Sequence, residues 1–177
     1  MKLNSKPSNL QTMPEANPDI EKITGAILPG RSYHFMTNTI SVHEVLEHLL
    51  SITGPAFVYL SSFSISEAGI RCLAGLKEDG LLLKLRCLFD HTVRKNKLPM
   101  LLFAGEFGQI RLTGIHAKQI LIYNERWYIV VTTSSNFNKI ERYETFVITT
   151  DLKSFVLYRD AIEFIWNEAI PFEPDDD

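Results

Sequence analysis

The stretch AFVYLSSFSISEAGIRCLAGLKEDGLLLKLRCLFD, Ala56 to Asp90, decides the fold class. Its first ten residues are rich in β-branched and aromatic side chains and read as a strand. Ser66 then stands where an N-cap belongs, before the helix-forming run EAGIRCLAGLKEDG, and Gly80 stands where that helix should stop. Leu81 to Asp90 follows as a second strand, apolar enough to lie inside a sheet. Strand, helix, strand at this spacing favours an α/β domain with crossover connections.

The flanks extend the same alternation. Upstream, SYHFMTN (Ser32 to Asn38) reads as a short strand, and Ser41 caps VHEVLEHLLSIT, where Val42, Val45, Leu46, Leu49 and Leu50 make one apolar stripe that ends at Gly54-Pro55. Downstream, DHTVRKNK (Asp90 to Lys97) reads as a loop and LPMLLFAGE as a short helix starting near Pro99. QIRLTGIHAKQILIY and RWYIVVTTSS then read as long strands joined through Asn124-Glu125-Arg126, and YETFVITTD as another strand. LKSFVLYRDAIEFIWNEA is an amphipathic helix with Phe155, Tyr158, Ile162, Ile165 and Trp166 on or near one face. No internal repeat is visible.

At 177 residues and 45% hydrophobic content, the chain suits one core and one domain. The expected layout is a flexible N-terminal arm over residues 1–27, a single domain over 28–170 and an acidic tail over 171–177. The net charge is −3, but Glu173, Asp175, Asp176 and Asp177 fall at the C-terminus; removing those four from 21 acidic residues leaves 17 against 18 basic ones. A near-neutral body excludes the broad basic surface of a tight duplex binder and leaves room for a small basic site. Cys72 and Cys87 lie in apolar surroundings without metal-type spacing and read as reduced core thiols. No apolar leader and no run of eighteen apolar residues is present, so the expected setting is cytoplasmic, without stable membrane association.

The chemistry concentrates in HAKQILIYNERWYIVVTTSSNFN, His116 to Asn138. Strand alternation puts His116 and Lys118 on one face, and Ser134 and Asn136 on one face. A hairpin would bring these pairs together. An imidazole can attack phosphorus and form a phosphohistidine, while an ammonium with hydroxyl and amide donors stabilises charge developing on the nonbridging oxygens. This chemistry calls for no metal and no other cofactor, and no dense Asp/Glu/His cluster stands ready to hold one.

In this stretch the chain resembles the phospholipase D superfamily, whose signature is His-x-Lys, four residues, Asp, six residues, then Gly-Ser-x-Asn. His116, Lys118, Ser134 and Asn136 fall on the His, Lys, Ser and Asn, with Thr133 in the glycine position. TSSNFN is similar to the GSxNFT form of the small bacterial endonucleases of that superfamily, and Glu144 falls on the acidic residue that commonly follows. Ala56 to Asp90 is similar to the family's strand, Ser-Phe-Thr-like turn, helix and strand ending in Asp. The likeness covers roughly residues 30 to 168. It implies a mixed central sheet flanked by helices on both faces.

Two departures stand out. The motif aspartate is missing, because the fifth position after Lys118 is Tyr123, and Lys118 to Ser134 is three positions longer than usual. Thr133 adds a side chain where glycine would let the backbone approach a phosphate. The chain also has one motif copy, whereas the family's two-step reaction uses two histidines. Single-copy members pair two chains about a two-fold axis, which implies a homodimer whose two His116 imidazoles act as nucleophile and general acid.

Other residues carry two readings each. Arg94, Lys95 and Lys97 are either solvated loop residues or contacts to a nucleic-acid backbone. Ser62 and Ser64 match positions the family turns toward its site, and either could equally serve as a helix cap. Trp127 and Tyr128 alternate faces, so at most one can stack on an unpaired base. Three functions fit. The first is a metal-independent phosphodiesterase, a nuclease with little sequence preference. The second is a catalytically degenerate nucleic-acid-binding or scaffold module. The third is a phospholipid headgroup hydrolase, disfavoured by the lack of apolar interfacial segments.

Overall fold

The strand Ala56–Ser62 (β2) and the strand Leu82–Asp90 (β3) pair in parallel, joined by the helix Glu67–Glu78 (α3), as the opening stretch requires. Ser66 accepts the Gly69 amide at 3.2 Å as N-cap, and Gly80 takes φ +74° just beyond the helix end, where a side chain would be strained. The computed structural model describes residues 18–138 and 142–173.

Around this pair the chain builds one eight-stranded mixed sheet. Its further elements are a helix Pro18–Thr24 (α1), a strand Ser32–Thr37 (β1), a helix Val42–Thr53 (α2), a helix His91–Gly105 (α4), strands Gln109–Thr113 (β4), Gln119–Tyr123 (β5), Tyr128–Thr133 (β6) and Glu144–Thr149 (β7), a helix Leu152–Glu168 (α5) and a short strand Ile170–Pro171 (β8). The strand order is β1-β7-β6-β5-β2-β3-β4-β8, with β2, β3 and β4 parallel and every other neighbour pair antiparallel. The C-terminal ends of β2, β3, β4 and β6 therefore meet the N-terminal ends of β5 and β7 along one edge.

Both faces of the sheet are covered. On one side α1 to α4 bury the larger core, including Leu46, Leu49, Leu60, Leu73, Phe89 and Phe137. On the other, Phe155, Ile162 and Trp166 of α5 pack against Tyr59, Leu88, Leu121 and Val130, with Tyr158 and Ile165 at the margin. The stripe expected on α5 thus faces the sheet. Each fully buried Leu, Ile or Phe contributes about 1.5–3 kcal/mol. Cys72 and Cys87 are free thiols against the larger core. Among the described residues no helix is long and apolar enough to cross a membrane.

The structure alters three expectations. The single long strand over Gln109 to Tyr123 is two strands, β4 and β5, which stand on opposite sides of the β2–β3 pair. Reversing direction between them obliges residues 114–118 to cross the strand ends. The stretch expected to be a loop at DHTVRKNK is instead the first half of α4, because the Asp90 carboxylate caps it; the backbone breaks from helical geometry at Lys97 (φ −140°, ψ 30°), two residues before Pro99. The expected arm and tail also reach less far inward. Helix α1 buries Ile20 fully and Ile27 lies in the same core, while Phe172 packs beyond β8; the remainder of the arm, 1–17, and of the tail, 174–177, lie outside the described residues.

Gly69 shows how tightly α3 is seated. A Cβ there would stand 2.6 Å from Phe137 Cδ1, 2.7 Å from Cε1 and 3.0 Å from the Phe137 carbonyl oxygen. Gly69→Ala should lower stability by about 1–3 kcal/mol in urea unfolding, the usual range for overpacking a core. A loss within a few tenths of a kcal/mol would show that Phe137 is free to move.

Candidate functional site

The crossing segment 114–118 is held from below by the last residue of β3. Asp90 Oδ1 accepts from the Thr92 amide (2.9 Å) and hydroxyl (2.7 Å), and Oδ2 accepts from the Ile115 amide (3.3 Å). Burial works to raise the Asp90 pKa, but these hydrogen bonds outweigh it and hold the carboxyl below its ordinary range. The Ile115 side chain sinks into the core under α5. The residue before His116 is thus fixed at both its backbone and its side chain, which leaves His116 exposed above the sheet edge.

Lys118 is buried, and its Nζ turns back to His116. It donates to the His116 carbonyl at 2.7 Å and stands 3.1 Å from Nδ1 and 3.3 Å from Nε2. Phe63, just after β2, sets its ring 5.1 Å from the imidazole and 5.9 Å from the ammonium. Burial lowers the Lys118 pKa; the Glu144 carboxylate works in the opposite direction. His116 and Lys118 are therefore paired as expected, although the linker and not strand alternation brings them together.

The end of β6 arrives beside them. The Thr133 amide donates to the Lys118 carbonyl at 3.1 Å, extending the β5–β6 ladder by one bond. Ser134 is exposed; its amide bonds the Thr145 carbonyl (3.1 Å), its Oγ accepts from the Thr145 amide (3.0 Å), and its hydroxyl donates to the Glu144 carboxylate. Asn136 leans the other way, its Oδ1 3.5 Å from Ser62 Oγ. No hydrogen bond joins Ser134 or Asn136 to His116 or Lys118 among the described residues; Glu144, through its field at Lys118, couples the two groups.

Phe137 pins the loop that carries Asn136. Its ring is buried against Gly69, its amide donates to Ser62 Oγ (3.0 Å), and its carbonyl accepts from the Ser66 amide (3.0 Å) and hydroxyl (3.3 Å). Ser62 also donates to the Ser64 carbonyl at 2.6 Å, so its hydroxyl is used in full beneath the site. A groove of about 520 Å³ opens on the Asn136 side, and Ser64, Lys97, Asn138, Arg142 and Glu144 line it, whereas His116 and Lys118 stand outside it.

The remaining candidates separate. Lys97, at the α4 kink, faces the groove, Lys95 is exposed on α4, and the Arg94 guanidinium lies 5.9 Å over the Phe172 ring. Trp127 and Tyr128 sit at the far end of the hairpin, where Trp127 packs against the larger core and the Tyr128 ring meets that of Phe155 at a tilt, 5.4 Å between centroids. Tyr123, in the position of the motif aspartate, is at that far end too, stacked on Phe57 at 5.2 Å. Asp90, Phe63 and Arg142 went unread as site residues. Only Asp90 left a trace, as a carboxylate closing a strand before Thr92.

The fold matches solved structures of the phospholipase D family. It superposes on the phospholipase D family member Nuc from Salmonella typhimurium with TM-score 0.61 at 16% identity, over 81% of this chain and 100% of that one. NucT from Helicobacter pylori gives 0.63 at 16%, over 80% and 100%. TrmBL2, an archaeal chromatin protein described with a novel mode of DNA binding, gives 0.56 at 12%, over 87% and 59%. No protein-family model and no curated protein sequence matches the chain.

Asp90→Asn keeps an oxygen for Thr92 and turns an amide NH₂ toward the Ile115 amide, two donors face to face. It should cost about 1–3 kcal/mol at neutral pH, the range for a buried group left unpaired. Because the folded-state pKa is depressed, the carboxylate's contribution is present above the ordinary aspartate range and disappears as pH falls through the folded value. Urea unfolding of both proteins across acidic pH checks this: the two should converge in acid, and a constant gap would contradict the assignment.

Proposed function

We propose that the protein is a metal-independent phosphodiesterase that cleaves nucleic acid with little sequence preference, through a phosphohistidine on His116, as a homodimer. The observation that carries this reading is the pairing of an exposed His116 ring with the buried Lys118 ammonium 3.1 Å from it, at the edge where the C-terminal ends of the parallel strands lie. Sheets of this kind bind ligands at that end. The phospholipase D fold and the motif residues support it.

In the first step a His116 imidazole nitrogen attacks phosphorus and the bond to the leaving oxygen breaks. The second copy's His116, protonated, gives its proton to that oxygen. Water then attacks the phosphohistidine, loses a proton to the second imidazole, and frees the phosphate and both histidines. Lys118 stabilises charge on the nonbridging oxygens, and Asn136, whose Oδ1 rests against Ser62, adds its Nδ2 as an amide donor. Glu144 works against burial to favour the charged form of Lys118 and accepts the Ser134 hydroxyl, which holds Ser134 in place.

A second reading is a nucleic-acid-binding or scaffold module without turnover. One observation favours it: Lys118 Nζ spends a hydrogen bond on the carbonyl of His116 itself.

The test is cleavage of single- and double-stranded DNA and RNA in excess chelator. Activity should persist there and fall at least 10³-fold in His116→Ala, the scale expected when a nucleophile is removed. Binding without product in either protein would leave the module reading. Strictly metal-dependent cleavage would defeat the proposed chemistry. With Glu144→Gln the alkaline limb of the pH–rate profile should move to lower pH, because the carboxylate that raises the Lys118 pKa is gone. An unmoved limb would separate Lys118 from that limb.

A further inference from the structure

The groove beside His116 has a charge pattern that the reaction at one phosphate does not use. Lys97 reaches it from the kink of α4 and Arg142 from the approach to β7, and neither has an ion-pair partner among the described residues. Among the described residues its one lining carboxylate, Glu144, is engaged by Ser134. In the same lining Asn138 Nδ2 donates to Ser64 Oγ (3.4 Å), while its Oδ1 is buried without a partner among the described residues. Glu144 lines this groove and acts on Lys118, and Phe63, whose ring is 5.1 Å from that of His116, is followed in the chain by Ser64 of the groove, so the two are adjacent.

Next to Arg142, Tyr143 is 70% exposed, one of the most exposed large apolar side chains among the described residues. In sequence it stands between Arg142 and Glu144, which both line the groove, while its own side chain lies outside the lining. An exposed aromatic ring next in the chain to a groove cation suits unpaired bases, with the ring stacking on a base and the cations following the backbone. A duplex offers phosphates but no free base face. A lipid headgroup offers neither a base nor a second phosphodiester along a strand.

We propose that this groove is a flanking subsite for single-stranded nucleic acid: Lys97 and Arg142 take the phosphate next to the scissile one, and Tyr143 stacks on an unpaired base. The assignment rests on the phosphodiesterase reading for its position relative to the scissile bond. It makes the preferred substrate a single strand, and it places the selectivity in residues separate from the reacting ones.

The experiment uses the full chain with a fluorescent oligo(dT), a blunt duplex of equal length, and bis(p-nitrophenyl) phosphate as a one-phosphate substrate. Oligo(dT) should bind at least tenfold more tightly than the duplex. Lys97→Ala combined with Arg142→Ala should weaken that binding at least tenfold, and the slope of log K against log salt should become shallower by about 0.7, for the one single-strand phosphate that is no longer neutralised. Tyr143→Ala should weaken it about tenfold, within the range for removing one base stack. In turnover, the double variant's loss on oligo(dT) should exceed its loss on the small diester at least tenfold, mostly in KM, and Lys97→Arg should restore binding. Equal binding of duplex and single strand, or no change in the salt slope, would overturn the subsite. If oligo(dT) binding follows the groove variants while neither substrate is turned over, the subsite stands and the catalytic reading fails.

Discussion

The seat of Phe137 is the interaction on which the site depends. One side chain buried against a glycine, with its amide on Ser62 and its carbonyl on Ser66, locks the loop after β6 to the turn after β2. Those two elements are far apart in sequence, and Ile65 and Phe137 add a parallel bridge between them. Fixing Phe137 fixes Asn136 before it and Asn138 after it, and so defines one wall of the groove. It also uses up the Ser62 hydroxyl, which becomes a support for the site.

A second fixed point lies at the end of β3. The sheet order obliges the chain to leave β4, pass the ends of β3 and β2, and enter β5 antiparallel to β2. Such a crossing would leave backbone amides unpaired, and Asp90 satisfies one of them while capping α4. The consequence is chemical: His116 stands exposed with its backbone held, and Lys118 is buried beneath it. Glu144 then links this group to Ser134. Under the proposed reaction His116 is the nucleophile and Lys118 a charge stabiliser, and among the described residues no second imidazole joins them. The proposal therefore takes the general acid from a second copy.

Much of this was legible in the chain. The β2–α3–β3 unit was, because its strands are apolar runs and its helix has both a serine cap and a glycine stop. The β5–β6 hairpin was, because Asn124 accepts the Arg126 and Trp127 amides at 3.0 Å each, the local bonding that makes asparagine a turn residue. The break at residues 114–118 was not, since apolar residues continue through it and Gly114 is its single mark. Helix α1 was missed because Ile20 and Ile23 are the two apolar residues of a short polar run, too few to show a period, and only the folded core separates buried Ile20 from exposed Ile23. The partition of the basic run was equally hidden: a kink at Lys97, set by Pro99 and the tertiary packing, sends Lys97 to the groove and leaves Arg94 over Phe172. Motif order identified His116, Lys118, Ser134 and Asn136 as candidates, but their couplings through Glu144, Phe63 and Asp90 exist only once distant strands are side by side.

The claim at the centre is that a working site takes one His116 from each of two chains. It is tested most directly by mixing wild-type chains with His116→Ala chains in varied proportion, allowing subunits to exchange, and measuring cleavage at constant total protein. If both imidazoles are required, mixed dimers are inactive and activity follows the square of the wild-type fraction. Activity that falls in direct proportion to the wild-type fraction would show that each chain works alone and would contradict the two-chain site.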